Sequence, residues 1–295
     1  MSGRVVVGTS SWADQGFVRE WYPQGLAASQ RLSYYAKYFQ AVEVNSSFYR
    51  VPSRSMVARW AEVTPPGFTF DVKLHRALSR HVAFSSSLSE QLRPHTGTDD
   101  RGRVRLTKTL EVALTREFLD AVSPLAQSGK LSSLLLQLSP SFSPVEHELA
   151  ELDDLIELIA PIPLAIEFRH SDWVSPEQIK RTLAFLNERD VAFVCVDAPV
   201  ARHQTIMPSD ISVVTSSRLA YLRAHGRNTH GYLNGRTVAE RFAYRYNDQE
   251  LEQIIARARR LTASLHQGET RVMLNNNRGR DAPDAASRII ELLEA

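Results

Sequence analysis

Eight short apolar runs, mostly separated by helix-patterned stretches, constrain this chain more than any other feature. They cover residues 5–7, 41–44, 68–72, 134–138, 164–168, 192–196, 219–222 and 272–274. Runs so short and continuous, rich in β-branched residues, suit parallel strands buried on both faces. Helical patterns fall at 32–39, 56–63 and 110–125. Ser143-Pro144-Val145-Glu146 reads as an N-cap, a first-turn proline and a capping-box acid, opening a helix to Ile159. Ser175-Pro176-Glu177-Gln178 repeats that grammar before 179–186. Between 248 and 265, Leu251, Ile254, Ile255, Ala258 and Leu261 form a helical stripe, and a helix over 281–293 closes the chain.

Strand followed by helix, eight times, predicts a (β/α)8 barrel of the TIM type, which needs roughly 250 residues. The competing architecture, a doubly wound open sheet, lacks the Gly-x-Gly-x-x-Gly of its dinucleotide-binding form after the first run. One domain over 1–295 is expected, with two breaks in the rhythm. Residues 81–109 are polar, with Gly97, Gly102, Arg93, Arg101, Arg103 and Arg105, and read as a long loop or excursion. Residues 199–217 read as an irregular connection.

Composition narrows the function classes. Thirty-five Lys and Arg against 33 Asp and Glu give a net charge of +2, which excludes holding nucleic acid by bulk charge alone. The single cysteine, Cys195, excludes an internal disulfide or a multi-cysteine metal site and reads as a buried thiol. No apolar run approaches the ~18 residues of a membrane span. Met1-Ser2-Gly3-Arg4 leads straight into the first run without a signal peptide's apolar region, so a cytoplasmic location is expected.

Barrel enzymes carry their chemistry at the C-terminal ends of the strands. Here those ends are polar. Four runs carry pairs two residues apart: Glu43/Asn45, Lys73/His75, Glu167/Arg169 and Arg223/His225. Such pairs share a strand face and can point together into the barrel mouth. Glu43 and Glu167 are candidate acid and base, with Asp197 and His225 as further catalytic candidates. Lys73, Arg169 and Arg223 are candidates for holding an anion. Asn45, Gln137, Asn228, Asn275 and Asn276 would orient a ligand, with Ser10 at the first strand end. Trp12, Phe48, Tyr49 and Trp173 follow strand ends, where aromatic walls of a pocket lie.

These assignments compete with a structural one. Glu43, Glu167 and Asp197 can neutralise Lys73, Arg169 and Arg223 in a polar plug, Lys73 then bridging to a neighbouring strand. The nine histidines form no His-Glu-x-x-His or His-x-His pattern, so no dedicated zinc site is expected, and no organic cofactor. A divalent magnesium or manganese ion on Glu43, Glu167 and Asp197 stays open. No Gly-x-Ser-x-Gly elbow is present. The leading expectation is an enzyme, of hydrolase or lyase type, acting on a small anionic or phosphorylated ligand such as a phosphoester or sugar phosphate. A nucleic-acid-binding protein is the second reading, with Trp12, Tyr49, Trp173 and Tyr244 stacking bases and the Arg101 to Arg105 loop touching phosphates. A non-catalytic small-anion binder is the third. A monomer is slightly favoured.

The strand-end motifs also carry a resemblance. Gly8-Thr9-Ser10-Ser11-Trp12, Trp21-Tyr22-Pro23, Val42-Glu43-Val44-Asn45-Ser46-Ser47-Phe48-Tyr49-Arg50, Gln137-Leu138-Ser139-Pro140-Ser141-Phe142, Glu167-Phe168-Arg169-His170, Leu222-Arg223-Ala224-His225-Gly226-Arg227-Asn228 and Asn275-Asn276-Asn277 together resemble the YecE-like family of domains of unknown function. The match runs from Gly8 to about Ala286. It departs at Ser11, where the family has glycine, and at Ser139, where it has the first of two prolines. The resemblance implies a TIM-type barrel with a polar mouth and brings no established activity. Its fold is similar to that of the endonuclease IV and xylose isomerase group. By that analogy alone, metal-assisted phosphodiester hydrolysis stands as a further alternative.

Overall fold

The computed structural model describes residues 3–201, 203–265 and 267–294; Met1 and Ser2, part of the N-terminal reading above, lie outside them. Eight strands follow one another around a closed barrel: β1 (Arg4–Thr9), β2 (Ala41–Val44), β3 (Thr69–Lys73), β4 (Leu131–Gln137), β5 (Leu164–Glu167), β6 (Ala192–Asp197), β7 (Leu219–Ala224) and β8 (Glu269–Leu274). Every neighbouring pair is parallel, and β8 closes onto β1. The fold is a (β/α)8 barrel. Each apolar run of the sequence lies in a strand or overlaps one. The ends that escaped the sequence reading are polar: Ser132 and Ser133 in β4, and Glu269 to Arg271 in β8.

The helices are α1 (Gln15–Glu20), α2 (Arg31–Tyr35), α3 (Arg54–Val63), α4 (Lys108–Gln127), α5 (Asp153–Ile159), α6 (Ile179–Glu188), α7 (Thr229–Asn234), α8 (Val238–Arg241), α9 (Asp248–Ala263) and α10 (Asp281–Glu294). Short α1, which no apolar pattern announces, starts where the Asp14 carboxylate accepts from the Gly16 amide. The helix expected from Ser143 begins later. Glu148 and Glu151 form its capping box instead, ahead of a 3-10 turn over Leu149–Leu152 that runs into α5. Residues 81–109 form an ordered excursion with 3-10 turns at Ser85–Ser87 and Arg93–His95 and bridges Phe84–Arg103 and Thr98–Val104. No helix or strand is described between Asp197 and Leu219.

Strand register sorts the side chains into two sets, because Cα partners in a sheet share a face. The outward set packs against the helices and is mainly apolar, with Thr9, Asp197 and Thr270 among its polar members. Val7, Val42, Val72, Leu134, Leu136, Ile166, Leu222 and Val272 are all 4% exposed or less. Burying each such side chain stabilises the fold by about 1.5–3 kcal/mol. The inward set is mixed: Ala41, Leu135, Ala165, Val194, Val196 and Met273 lie in phase with charged residues, and those charged residues build the site.

Candidate functional site

Two charged layers fill the barrel axis below the mouth. In the lower layer the Arg271 guanidinium donates to Asp71 through Nη2 (2.7 Å) and Nε (3.0 Å), and Ser133 donates to the same carboxylate at 2.6 Å. In the upper layer Arg223 donates to Glu43 through Nη2 (2.6 Å) and Nε (2.9 Å), and to Glu167 through Nη1 (2.5 Å). Tyr221 donates a further hydrogen bond to Glu43 at 2.9 Å. Arg223, Glu43 and Glu167 are almost wholly buried. A buried ion is tolerated only with partners in good geometry, and here one cation clamps two carboxylates. The structural alternative therefore describes this triad, with the guanidinium taking both acids.

Above the triad lies the mouth proper. His225 has Nε2 3.1 Å from Glu167 Oε1 and Nδ1 2.9 Å from the Asn275 amide nitrogen. Lys73 donates to Gln137 Oε1 at 2.7 Å and stands 4.2 Å over the Phe48 ring. Arg169 donates to the Tyr232 hydroxyl at 2.6 Å and has Glu167 at 3.6 Å. Asn45 donates to the Ser10 carbonyl at 2.7 Å, while its own carbonyl oxygen and the Ser10 hydroxyl are buried without a partner.

Electrostatics divides these groups. Burial, followed by the charge of Arg223, lowers the Lys73 amine to about 7. Burial alone would raise Glu167, but Arg223 and His225, with Arg169 behind them, outweigh it and hold the carboxylate well below its usual range. Burial depresses the His225 imidazole, and Glu167 offsets only part of that. Lys73 has no carboxylate in ion-pair range among the described residues, and Arg169 has only the long contact to Glu167.

Not every sequence candidate reaches this cluster. Asp197 is the register partner of Ala224, one residue out of phase with inward Arg223. Its side chain leaves the barrel and meets Arg227 at 2.8 Å and the Tyr246 hydroxyl at 2.8 Å. The expected triple of Glu43, Glu167 and Asp197 is thus split. Its carboxylates do not suit a divalent ion, since guanidinium groups occupy them on both sides of the strand wall. Among the described residues no group of three or more His, Cys, Asp or Glu side chains could hold a metal.

Trp173, expected on a pocket wall, is 2% exposed. It stacks on Phe142 and donates its indole N–H to the Phe142 carbonyl at 2.6 Å, deep in the core. Trp12 meets Trp60 edge-on at 5.3 Å and is half-buried, whereas Tyr49 is exposed. Asn228 caps α7 by accepting from Gly231, and Asn276 donates to the Tyr244 carbonyl. The proposed stacking set of Trp12, Tyr49, Trp173 and Tyr244 is broken by the burial of Trp173. Arg103, in the basic loop, pairs with Asp99. Cys195 is buried.

Several participants escaped sequence reasoning. Tyr221, Asp71 and Arg271 lie in phase with the polar pairs, which is the signal that could have found them. Tyr232 reaches the site from α7, where no strand periodicity points to it, whereas Phe48, expected at a pocket wall, does lie at the site under the Lys73 amine.

Fold and site together define a (β/α)8-barrel protein whose axis is an ion-paired plug and whose mouth carries cations in excess. The chain belongs to the family described as protein of unknown function DUF72, whose profile matches residues 6–295. This bears out the resemblance carried by the strand-end motifs. UPF0759 protein YunF of Bacillus subtilis (strain 168) is 27% identical over 294 residues, covering 98% of this chain and 95% of that one. UPF0759 protein YecE of Escherichia coli (strain K12) is 27% identical over 199 residues, 66% of this chain and 59% of its own length. The crystal structure of a DUF72 family protein from Thermotoga maritima MSB8 superposes with a TM-score of 0.77 at 27% identity, covering 99% of this chain and all of that one. No described helix is long and apolar enough to cross a membrane.

Proposed function

We propose that the protein is an enzyme acting on an anionic, polar substrate of the phosphoester or sugar-phosphate class at the barrel mouth. One observation carries this reading. Lys73 and Arg169 stand above a plug whose acids are already committed to Arg223, so the mouth has positive charge to spare. An incoming anion supplies the counter-charge that the protein withholds.

His225 is the proton carrier of this scheme. With Asn275 donating to Nδ1, the ring proton sits on Nε2 and is donated to Glu167. Glu167 orients and polarises the ring, and the Nδ1 lone pair, which accepts from Asn275 in the resting site, takes a proton from the substrate or from water once the Asn275 amide turns to the ligand. Glu43 clamps Arg223 and stays out of the proton transfer. This moves the acid–base role from the carboxylate pair to a Glu–His pair. Asn275 and Gln137 orient the ligand.

Calorimetric titration with sulfate, an anion fully ionised across the working range, tests the reading. Saturable binding that falls by about tenfold or more in Arg169→Met, a loss of some 1.4 kcal/mol, supports it. Absence of binding, or binding indifferent to Arg169, rejects it. Turnover is then sought among phosphomonoesters and sugar phosphates.

A further inference from the structure

A second feature lies outside the barrel wall. Between the irregular segment after β6 and helix α9 is a cavity of about 920 Å³, lined in part by Val200, Ile206, Met207, Ile254, Arg257 and Arg260. Sites for small organic ligands span about 300–1,000 Å³ and are mostly apolar with a few polar anchors. We infer that this cavity is a separate binding site for an amphipathic organic anion, an apolar body carrying one carboxylate or phosphate.

Arg257 is the first argument. Its side chain runs from α9 to the back of β6 and is 7% exposed. It donates to the Val196 carbonyl (2.6 Å), the Ser212 hydroxyl (2.6 Å) and the Ile211 carbonyl. All three acceptors are neutral, and no carboxylate pairs with it among the described residues. A buried guanidinium without a counter-ion is costly, and a ligand anion removes that cost.

The rest of the wall agrees in charge and in polarity. Arg227 and Asp197, also in the lining, cancel one another. Arg260, one turn beyond Arg257, has no described side-chain partner, and Asp210 alone opposes the two. A net positive charge thus faces the space. Ser209 and Gln253 aside, the remaining wall is aliphatic. Ile206 and Met207 are 5% exposed, and Val200, on the rim, is 91% exposed. An exposed valine next to a cavity is where an apolar tail would gain most by covering surface. The site does not depend on the mouth, because Asp197 and its strand wall separate it from Lys73 and Arg169.

Octanoate, octylammonium and octanol are the probes, titrated calorimetrically into the full chain at neutral pH. The expected result is one octanoate per chain, with octylammonium and octanol weaker by at least about tenfold. Ala201→Trp places an indole in the cavity from its lining and abolishes octanoate binding. Arg260→Gln weakens it several-fold without touching the hydrogen bonds of Arg257. Lys73→Met leaves it unchanged, which separates this site from the mouth. Thermal melts confirm that each variant is folded. Equal binding of octanol or octylammonium, full binding by Ala201→Trp, or no octanoate binding by the wild-type chain overturns the inference.

Discussion

His225 and Glu167 face each other across 3.1 Å, from ring Nε2 to carboxylate Oε1. The carboxylate raises the basicity of the ring, against burial, which lowers it. Glu167→Gln removes the charge and keeps the shape. The imidazole should then stay neutral to lower pH than in the wild type, as read from nitrogen chemical shifts. On any substrate the protein turns over, kcat should fall by about 10²- to 10⁴-fold while KM changes little. Undiminished kcat would remove Glu167 from the mechanism.

Lys73 gives the mouth a pH dependence with a definite sign. Its amine titrates at about 7. Below that value the group is a cation and attracts an anion; above it the attraction is lost. Sulfate affinity should therefore decline as pH rises from 6 to 8, and Lys73→Met should flatten the decline. The stability linkage runs oppositely. Between about 7 and the ordinary lysine value the unfolded chain binds the proton that the folded chain has released, so this lysine makes stability rise with pH across that window.

Arg223→Met leaves Glu43 and Glu167 facing each other without their shared cation. Removing one partner of a buried ion pair costs about 3–5 kcal/mol. Urea unfolding should register a loss of that order. Arg54→Met, which breaks the exposed contact with Asp120, should cost about 1 kcal/mol or less. Similar losses for the two would show that the plug does not hold the barrel.

Gly8 faces the axis where β1 pairs with Ala41 of β2. A Cβ there would press into the Ala41 carbonyl oxygen and lie 3.2 Å from the Met273 sulfur. The backbone oxygen cannot yield without parting the strands. Gly8→Ala should destabilise by about 1–3 kcal/mol, as forced overpacking does, visible as a lower unfolding midpoint.

The barrel was legible because its outward strand faces are continuous apolar runs and its helices carry clear stripes. The mouth was legible in part, from polar residues two apart on one strand. Glu43, Glu167, Arg169, Arg223 and His225 all converge because that spacing fixes a shared face. Asp197 misled because its polarity was read without its phase, which the uniformly apolar run 192–196 does not reveal. Trp173 misled because an aromatic after a strand serves a core as readily as a pocket. The hydroxyl of Tyr232 arrives from 63 residues beyond Arg169, and only the closed chain brings them together. The later start of the helix ending at Ile159 reflects two capping sequences in succession, of which the second, Glu148 with Glu151, is the one that forms the capping box.

An axis filled with guanidinium and carboxylate groups responds to heat differently from one filled with hydrocarbon. Water solvates ions less favourably as temperature climbs, so keeping Arg223, Glu43 and Glu167 dry becomes less demanding on warming. The centre of this barrel is consequently at its greatest relative disadvantage in the cold.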